Sequence, residues 1–164
     1  MPARRSIRRW RSRSGLVTAV SAALALPSVA EEPVWFLKED PAGSVALWGV
    51  PDTDAVGFVV TCGDREMVIL SPALFAMTEP QTEQKLRFTV DGDTFVRDAR
   101  LVFSERDAAW QASAAVATDD ALLAALKRGH AITYDFAPPL RPGDAFTVSL
   151  KGSADALGDV IEAC

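Results

Sequence analysis

The chain reads as a mainly β protein, an antiparallel β-sandwich or partly open barrel with two short helices, the second of them C-terminal. Three observations predict this. Val56-Gly57-Phe58-Val59-Val60-Thr61-Cys62 and Met67-Val68-Ile69-Leu70 are apolar, β-branched runs on either side of the polar Gly63-Asp64-Arg65-Glu66, the pattern of a hairpin at the centre of a sheet. Lys85-Leu86-Arg87-Phe88-Thr89-Val90 alternates polar and apolar residues in strict period two and runs into Asp91-Gly92. Short strands then recur between turn residues, and helical spacing is confined to two late segments.

Taken in order, Val34-Trp35-Phe36-Leu37 predicts a first strand and residues 44–50 a second, punctuated by Pro41, Gly43 and the cluster Pro51-Asp52-Thr53-Asp54. Asp52 and Asp54 fit turn residues better than metal ligands, because aspartate side chains bond their own backbone and no further oxygen ligands follow at loop spacing. After the central hairpin, residues 71–84 are expected to form a loop, with one helical turn at the apolar knot Leu74-Phe75-Ala76-Met77. Asp91-Gly92 is a type I′ hairpin signal, since glycine carries the positive φ without a steric penalty, and Asp93-Thr94-Phe95-Val96 resumes as a strand. Calcium at Asp91-Gly92-Asp93 fails on ligand count.

Residues 100–104 and 109–113 predict another strand pair across Glu105-Arg106-Asp107. Thr118 is the expected N-cap of a helix in which Asp119 and Asp120 complement the dipole, Leu122, Leu123 and Leu126 face inward, and Gly129 ends the run after Lys127 and Arg128. Residues 131–136 alternate again, Arg141-Pro142-Gly143-Asp144 is a Pro-Gly turn, and 145–150 form the last strand. Ser153 is expected to cap a closing helix over 154–163, with Leu157, Val160 and Ile161 inward and Cys164 at its end.

The formal charge of −5 averages two unlike parts. Six of the 17 basic residues (Arg4, Arg5, Arg8, Arg9, Arg11, Arg13) and none of the 22 acids lie in residues 1–30, so the remainder holds 11 basic groups against 22 acidic ones, a net charge of −11. The basic start, the apolar run from Gly15 to Leu26 and the small residues of Pro27-Ser28-Val29-Ala30 have the three parts of a signal peptide cut after Ala30. A spanning helix needs about 20 residues, more than this run supplies, so no stable membrane anchor is expected once the leader is removed. The expected organisation is therefore a signal peptide, 1–30, and one β-rich domain, 31–164, placed in the periplasm or secreted. The arginine pairs do not lead into the twin-arginine consensus, and general export is the default.

Export puts Cys62 and Cys164, the only two cysteines, in an oxidising space where a disulfide is the expected state. A reactive Cys62 thiol is the alternative, and it requires a neighbouring base. Catalytic equipment is otherwise thin. One histidine, His130, leaves no multi-histidine metal site, and no nucleophile elbow, phosphate loop or C-x-x-C is present. His130 with Asp135 is the obvious acid–base pair, but five residues along a strand span roughly 16 Å, beyond hydrogen-bond reach. Trp35, Trp48 and Trp110 each fall in an expected strand, where core packing outweighs a ligand platform. No catalytic residue, cofactor or metal is expected. Nucleic acid is disfavoured by the charge, and a basic protein partner is favoured.

From Leu122 onward, Leu-Leu-Ala-Ala-Leu-Lys-Arg-Gly, a strand, a Pro-Gly turn, then Phe146-Thr-Val-Ser-Leu-Lys-Gly-Ser-Ala-Asp-Ala-Leu and a final cysteine resemble the C-terminal half of two groups of small exported bacterial proteins. These are the invasion-associated locus B proteins and the periplasmic accessory proteins of type VI secretion. The second group is also similar upstream, in an apolar strand ending at Cys62 and a strand entering Asp91-Gly92 ahead of Trp110, although it usually continues past its final cysteine. The resemblance implies a non-enzymatic envelope protein and carries no catalytic residue onto these positions. The reading is a non-catalytic periplasmic or secreted protein that binds a partner protein or envelope component. The alternatives are an inhibitor of a basic hydrolase such as lysozyme, whose Ser-Gly-rich inhibitory loop is missing, and a carboxylate-dependent hydrolase.

Overall fold

The computed structural model describes residues 31–164 except 42, 65, 142 and 144. The expected leader and cleavage site, Arg65 of the central turn, and Pro142 and Asp144 of the late turn lie outside the described residues.

Among the described residues, ten strands and two helices follow one another as β1 (Val34–Asp40), β2 (Gly43–Gly49), β3 (Val56–Cys62), β4 (Met67–Pro72), β5 (Phe75–Ala76), β6 (Gln84–Val90), β7 (Asp93–Ser104), β8 (Ala109–Ala117), α1 (Ala121–Arg128), β9 (Ala131–Phe136), β10 (Phe146–Ser149) and α2 (Ser153–Ala163). All pairings are antiparallel, in the order β1-β2-β3-β4-β8-β7-β6-β9-β10, with β5 beside β8. The sheet curls until its first and last strands meet, where the Trp35 Nε1–H donates to the Ser149 carbonyl at 2.8 Å. Of the two architectures the sequence leaves open, the nearly closed barrel is the one that forms.

Alternation decides what fills it. Phe58 and Val60 of β3, Val68 and Leu70 of β4, Leu86, Phe88 and Val90 of β6, and Ile132 and Tyr134 of β9 all point inward and are buried. On β8 the inward positions are the small Ala112 and Ala114, which leave room for the aromatics opposite. Side chains from these strands thus fill the interior. Phe58 stands at its centre, with ring contacts to Trp35, Phe88 and Tyr134. The Asp91-Gly92 turn forms as expected, with φ of 49° and 102° and Val90 paired with Asp93.

Two expected strands prove to be one. Residues 93–96 and 100–104 join into the twelve-residue β7, because Arg97 occupies a core-facing phase with its charge met by Asp120, at 2.9 and 2.5 Å. A polar residue at that phase breaks the hydrophobic pattern without breaking the strand. The first part of β7 pairs with β6 and the last part with β8, which carries the curl of the barrel. The expected helical turn at 74–77 is instead β5. Beyond the end of β4 the edge of β8 still has groups to satisfy, and Ala112 N–H donates to the Leu74 carbonyl while Phe75 and Ala76 pair with Gln111 and Trp110.

Both helix caps also differ from expectation. Thr118 N–H is engaged by the Glu66 carbonyl, and Asp120 becomes the N-cap of α1, its carboxylate accepting from Leu122 N–H at 2.8 Å. At α2 the cap position is Gly152 in the left-handed region, and Ser153 is the first helical residue. Its buried hydroxyl lies 2.7 Å from the carbonyls of both Leu126 and Leu150, so one side chain ties the end of α1 and the end of β10 to the start of α2. Leu122, Leu123 and Leu126 of α1 and Ala156, Leu157 and Val160 of α2 complete the core at the end of the barrel where β3 finishes. No helix among the described residues is long and apolar enough to cross a membrane.

Candidate binding furrow

The cysteines are joined. Cys62 at the end of β3 and Cys164 after α2 form a disulfide, with Cα atoms 5.3 Å apart, closing a separation of 102 residues. The sulfurs are consumed in fastening α2 to the central strand.

The ionisable groups are distributed in separate pairs along the sheet. Asp135 lies opposite Arg87 in the β6–β9 register and takes its guanidinium in a two-pronged ion pair. His130 stands elsewhere, its side chain 94% exposed, and its partner is Asp91. The Asp91 carboxylate accepts from His130 N–H at 2.9 Å and Ala131 N–H at 3.1 Å and lies 3.1 Å from the ring Nδ1. These donors hold the Asp91 carboxyl below the usual carboxylate range. Burial raises the Asp120 carboxyl, but the Arg97 guanidinium and the Leu122 N–H outweigh it and the net shift is downward. Burial pushes the Tyr134 hydroxyl up; it donates to the Gly57 carbonyl at 2.7 Å. Each of these groups serves to hold one strand, turn or helix to another.

Asp52 and Asp54 sit in the turn between β2 and β3, which Thr53 organises by donating to Val50 O at 2.8 Å and accepting from Ala55 N at 3.1 Å. No group of three metal-ligating side chains occurs among the described residues. The tryptophans divide. Trp35 is a core residue, and Trp48 packs on the core and edge-on to Phe146. Trp110 departs from expectation, standing half-buried outside the core and directly across the β7–β8 pair from the exposed Phe103.

What does gather in one place is on the outer face of β1–β3. Phe36 faces Leu47, and Leu47 faces Val59, in consecutive register positions of opposite phase to the core-facing Trp35, Trp48 and Phe58. An antiparallel sheet with one face in water ordinarily carries polar residues there, whereas these three side chains form an apolar, half-buried row. The 51–54 turn stands over it and divides the face into adjoining recesses of about 440 and 450 Å3 that share Lys38, Leu47, Thr53 and Val56. A third recess continues past Pro51 and Asp52 to Glu31, Glu32 and Val34. Together they make a furrow with an apolar floor. At its far end Arg106 approaches Asp54 at 3.8 Å, and both side chains are largely exposed. The signal for this face is in the sequence: the strands at 34–37, 44–50 and 56–62 are apolar on both phases, where the strand at 85–90 alternates.

With this geometry, one solved structure is similar.

The chain has the fold of the crystal structure of invasion associated protein b from Bartonella henselae. The match covers 82% of this chain and 96% of that one, at 20% sequence identity and a TM-score of 0.50. At that identity the likeness is weak and concerns the fold. By its name the Bartonella structure corresponds to the first of the two groups that the sequence resembles. No family model and no curated protein matches the chain.

Proposed function

We propose that this protein is a non-catalytic exported domain that binds a protein partner through the outer face of β1–β3. The observation that carries the reading is the in-register apolar row Phe36–Leu47–Val59, which is only half-buried on a sheet whose other face is packed against the core. Apolar surface of this kind is what a partner removes from water. The imbalance of 22 acids against 11 basic groups beyond residue 30 supports a basic partner, because a surface of that sign speeds encounter with positive proteins and repels nucleic acid and anionic lipid. An inhibitor of a basic hydrolase such as lysozyme is a narrower form of the same reading. The hydrolase alternative draws less support, since Asp135, Asp120, Asp98 and Asp91 are each engaged by a different basic side chain on a different part of the barrel.

Photo-crosslinking tests this. A photoreactive residue at Leu47 should give a discrete adduct with another protein in cell-envelope extract, and one at Arg100 of β7 should not. Equal labelling from both positions, or none from Leu47, would count against the furrow. Association with the captured partner should slow as salt rises while dissociation changes less. A salt-independent association rate would leave the acidity as a solubility device.

A further inference from the structure

We propose that the furrow takes an extended polypeptide segment of the partner in which one or two large apolar side chains are flanked on both sides by lysine or arginine. This rests on the binding reading above and adds the chemistry of the occupant. The floor sets the centre of the segment. Leu47 and Val56 line both of the recesses on either side of the 51–54 turn, with Phe36 beside one and Val59 beside the other, so each recess offers aliphatic or aromatic contact and no buried charge. A side chain entering there is matched by being apolar.

The rim sets the flanks. Glu31 and Glu32 stand at one end of the furrow and Asp107 at the other, with Asp52 and Asp54 on the turn between them. Against these five acids the lining holds two bases, Lys38 and Arg106. Arg106 is paired with Asp54 at 3.8 Å with both groups near solvent, an attachment weak enough for an incoming arginine or lysine to replace. Acids at both ends and an apolar floor between them select a segment with positive charge at both ends and an apolar middle. The same rim argues against a second copy of this chain, whose described portion is itself strongly acidic, and against a lipid surface of anionic headgroups. An extended segment fits better than a helix, because the furrow runs across strands around a protruding turn and its recesses are shallow.

The test is fluorescence anisotropy of the purified protein with three labelled octapeptides: a Leu-Phe-Val-Leu centre flanked by two lysines on each side, the same centre flanked by glutamates, and lysine flanks around a Gly-Ser centre. The first should bind, and the other two at least about tenfold more weakly. Val59→Glu, which spoils the floor while adding negative charge, should weaken the first peptide about tenfold; Leu47→Gln is the milder floor variant, and the melting temperature of each shows that the barrel is intact. Asp52→Asn with Asp54→Asn should weaken it about threefold and flatten its salt dependence. Equal binding of the lysine- and glutamate-flanked peptides, or no effect of the floor and rim variants, overturns the proposal. If no peptide binds while Leu47 still crosslinks to a partner, the basic segment is wrong and the binding face stands; if Leu47 crosslinks to nothing, the binding reading fails as well.

Discussion

Trp35 and Ser149, 114 residues apart, hold the seam of the barrel: the indole Nε1–H of the first strand donates to the carbonyl of the last at 2.8 Å. No backbone ladder joins β1 to β10 in the strand order, so this side chain does at the seam what paired strands do elsewhere. Trp35 is also buried against Phe58, so the bond sits in a place sheltered from water. Trp35→Phe keeps most of the apolar contact and removes the donor. It should cost about 1–2 kcal/mol, with amide exchange speeding up in β10 before the centre of the sheet. Unchanged exchange in β10 would show that the seam is held by packing alone.

The Cys62–Cys164 disulfide closes most of the domain into one loop, and in the chain-entropy model a loop of that length is worth on the order of 4–5 kcal/mol. Reduction, or Cys62→Ser, should lower the denaturant midpoint accordingly, while α2 stays docked under native conditions through Leu157 and Val160. Two free thiols by mass spectrometry in the untreated protein would contradict the bridge.

Asp120 caps α1 and neutralises Arg97, and its carboxyl titrates below the ordinary range of about 3.9. A carboxyl with a depressed folded-state pKa contributes stability that is fully present above its unfolded value and is lost as pH falls through the folded one. Asp120→Ala should therefore cost about 1–2 kcal/mol at pH 7, and the gap to the parent protein should persist at pH 5 and shrink below about pH 4. Urea melts at pH 7, 5 and 3 measure it. A gap that grows on acidification would mean that burial, not the ion pair, governs this group.

Gly57 is required by a neighbour. A Cβ there would lie 2.7 Å from two carbons of the Trp48 ring, and the Gly57 carbonyl already accepts from both Tyr134 and Ala73. Gly57→Ala should push the indole off its seat, costing about 1–3 kcal/mol and altering the near-ultraviolet circular dichroism of the tryptophans. If the spectrum and the melting temperature are both unchanged, the ring has room to move.

The export expectation concerns the leader alone. Protein recovered from periplasm or medium should begin at Glu31; full-length chain found in the cytoplasm would make 1–30 a basic tail.

Period and turn chemistry determined much of this protein from the sequence by itself. Alternation at 85–90 and 131–136, the Asp91-Gly92 turn and the central hairpin are local signals, and each is where the sequence puts it. The pairing of Cys62 with Cys164 involves no choice of partner, because the sequence has only two cysteines. Tertiary structure decided what depends on a distant partner. Arg97 can occupy a core-facing phase of β7 only because Asp120, across the barrel end, meets its charge, and that same contact helps fix Asp120 rather than Thr118 as the cap. Phe75 and Ala76 are a strand only because β8 has an edge left over beyond β4. The furrow belongs to both levels. Two-faced apolar strands are visible in the chain, but the assembly of Phe36, Leu47 and Val59 into one row, and the placing of five acids around it, come from register and from two turns brought together by the curl of the sheet. Register is a relation between strands, and a linear pattern of residues contains only one strand at a time.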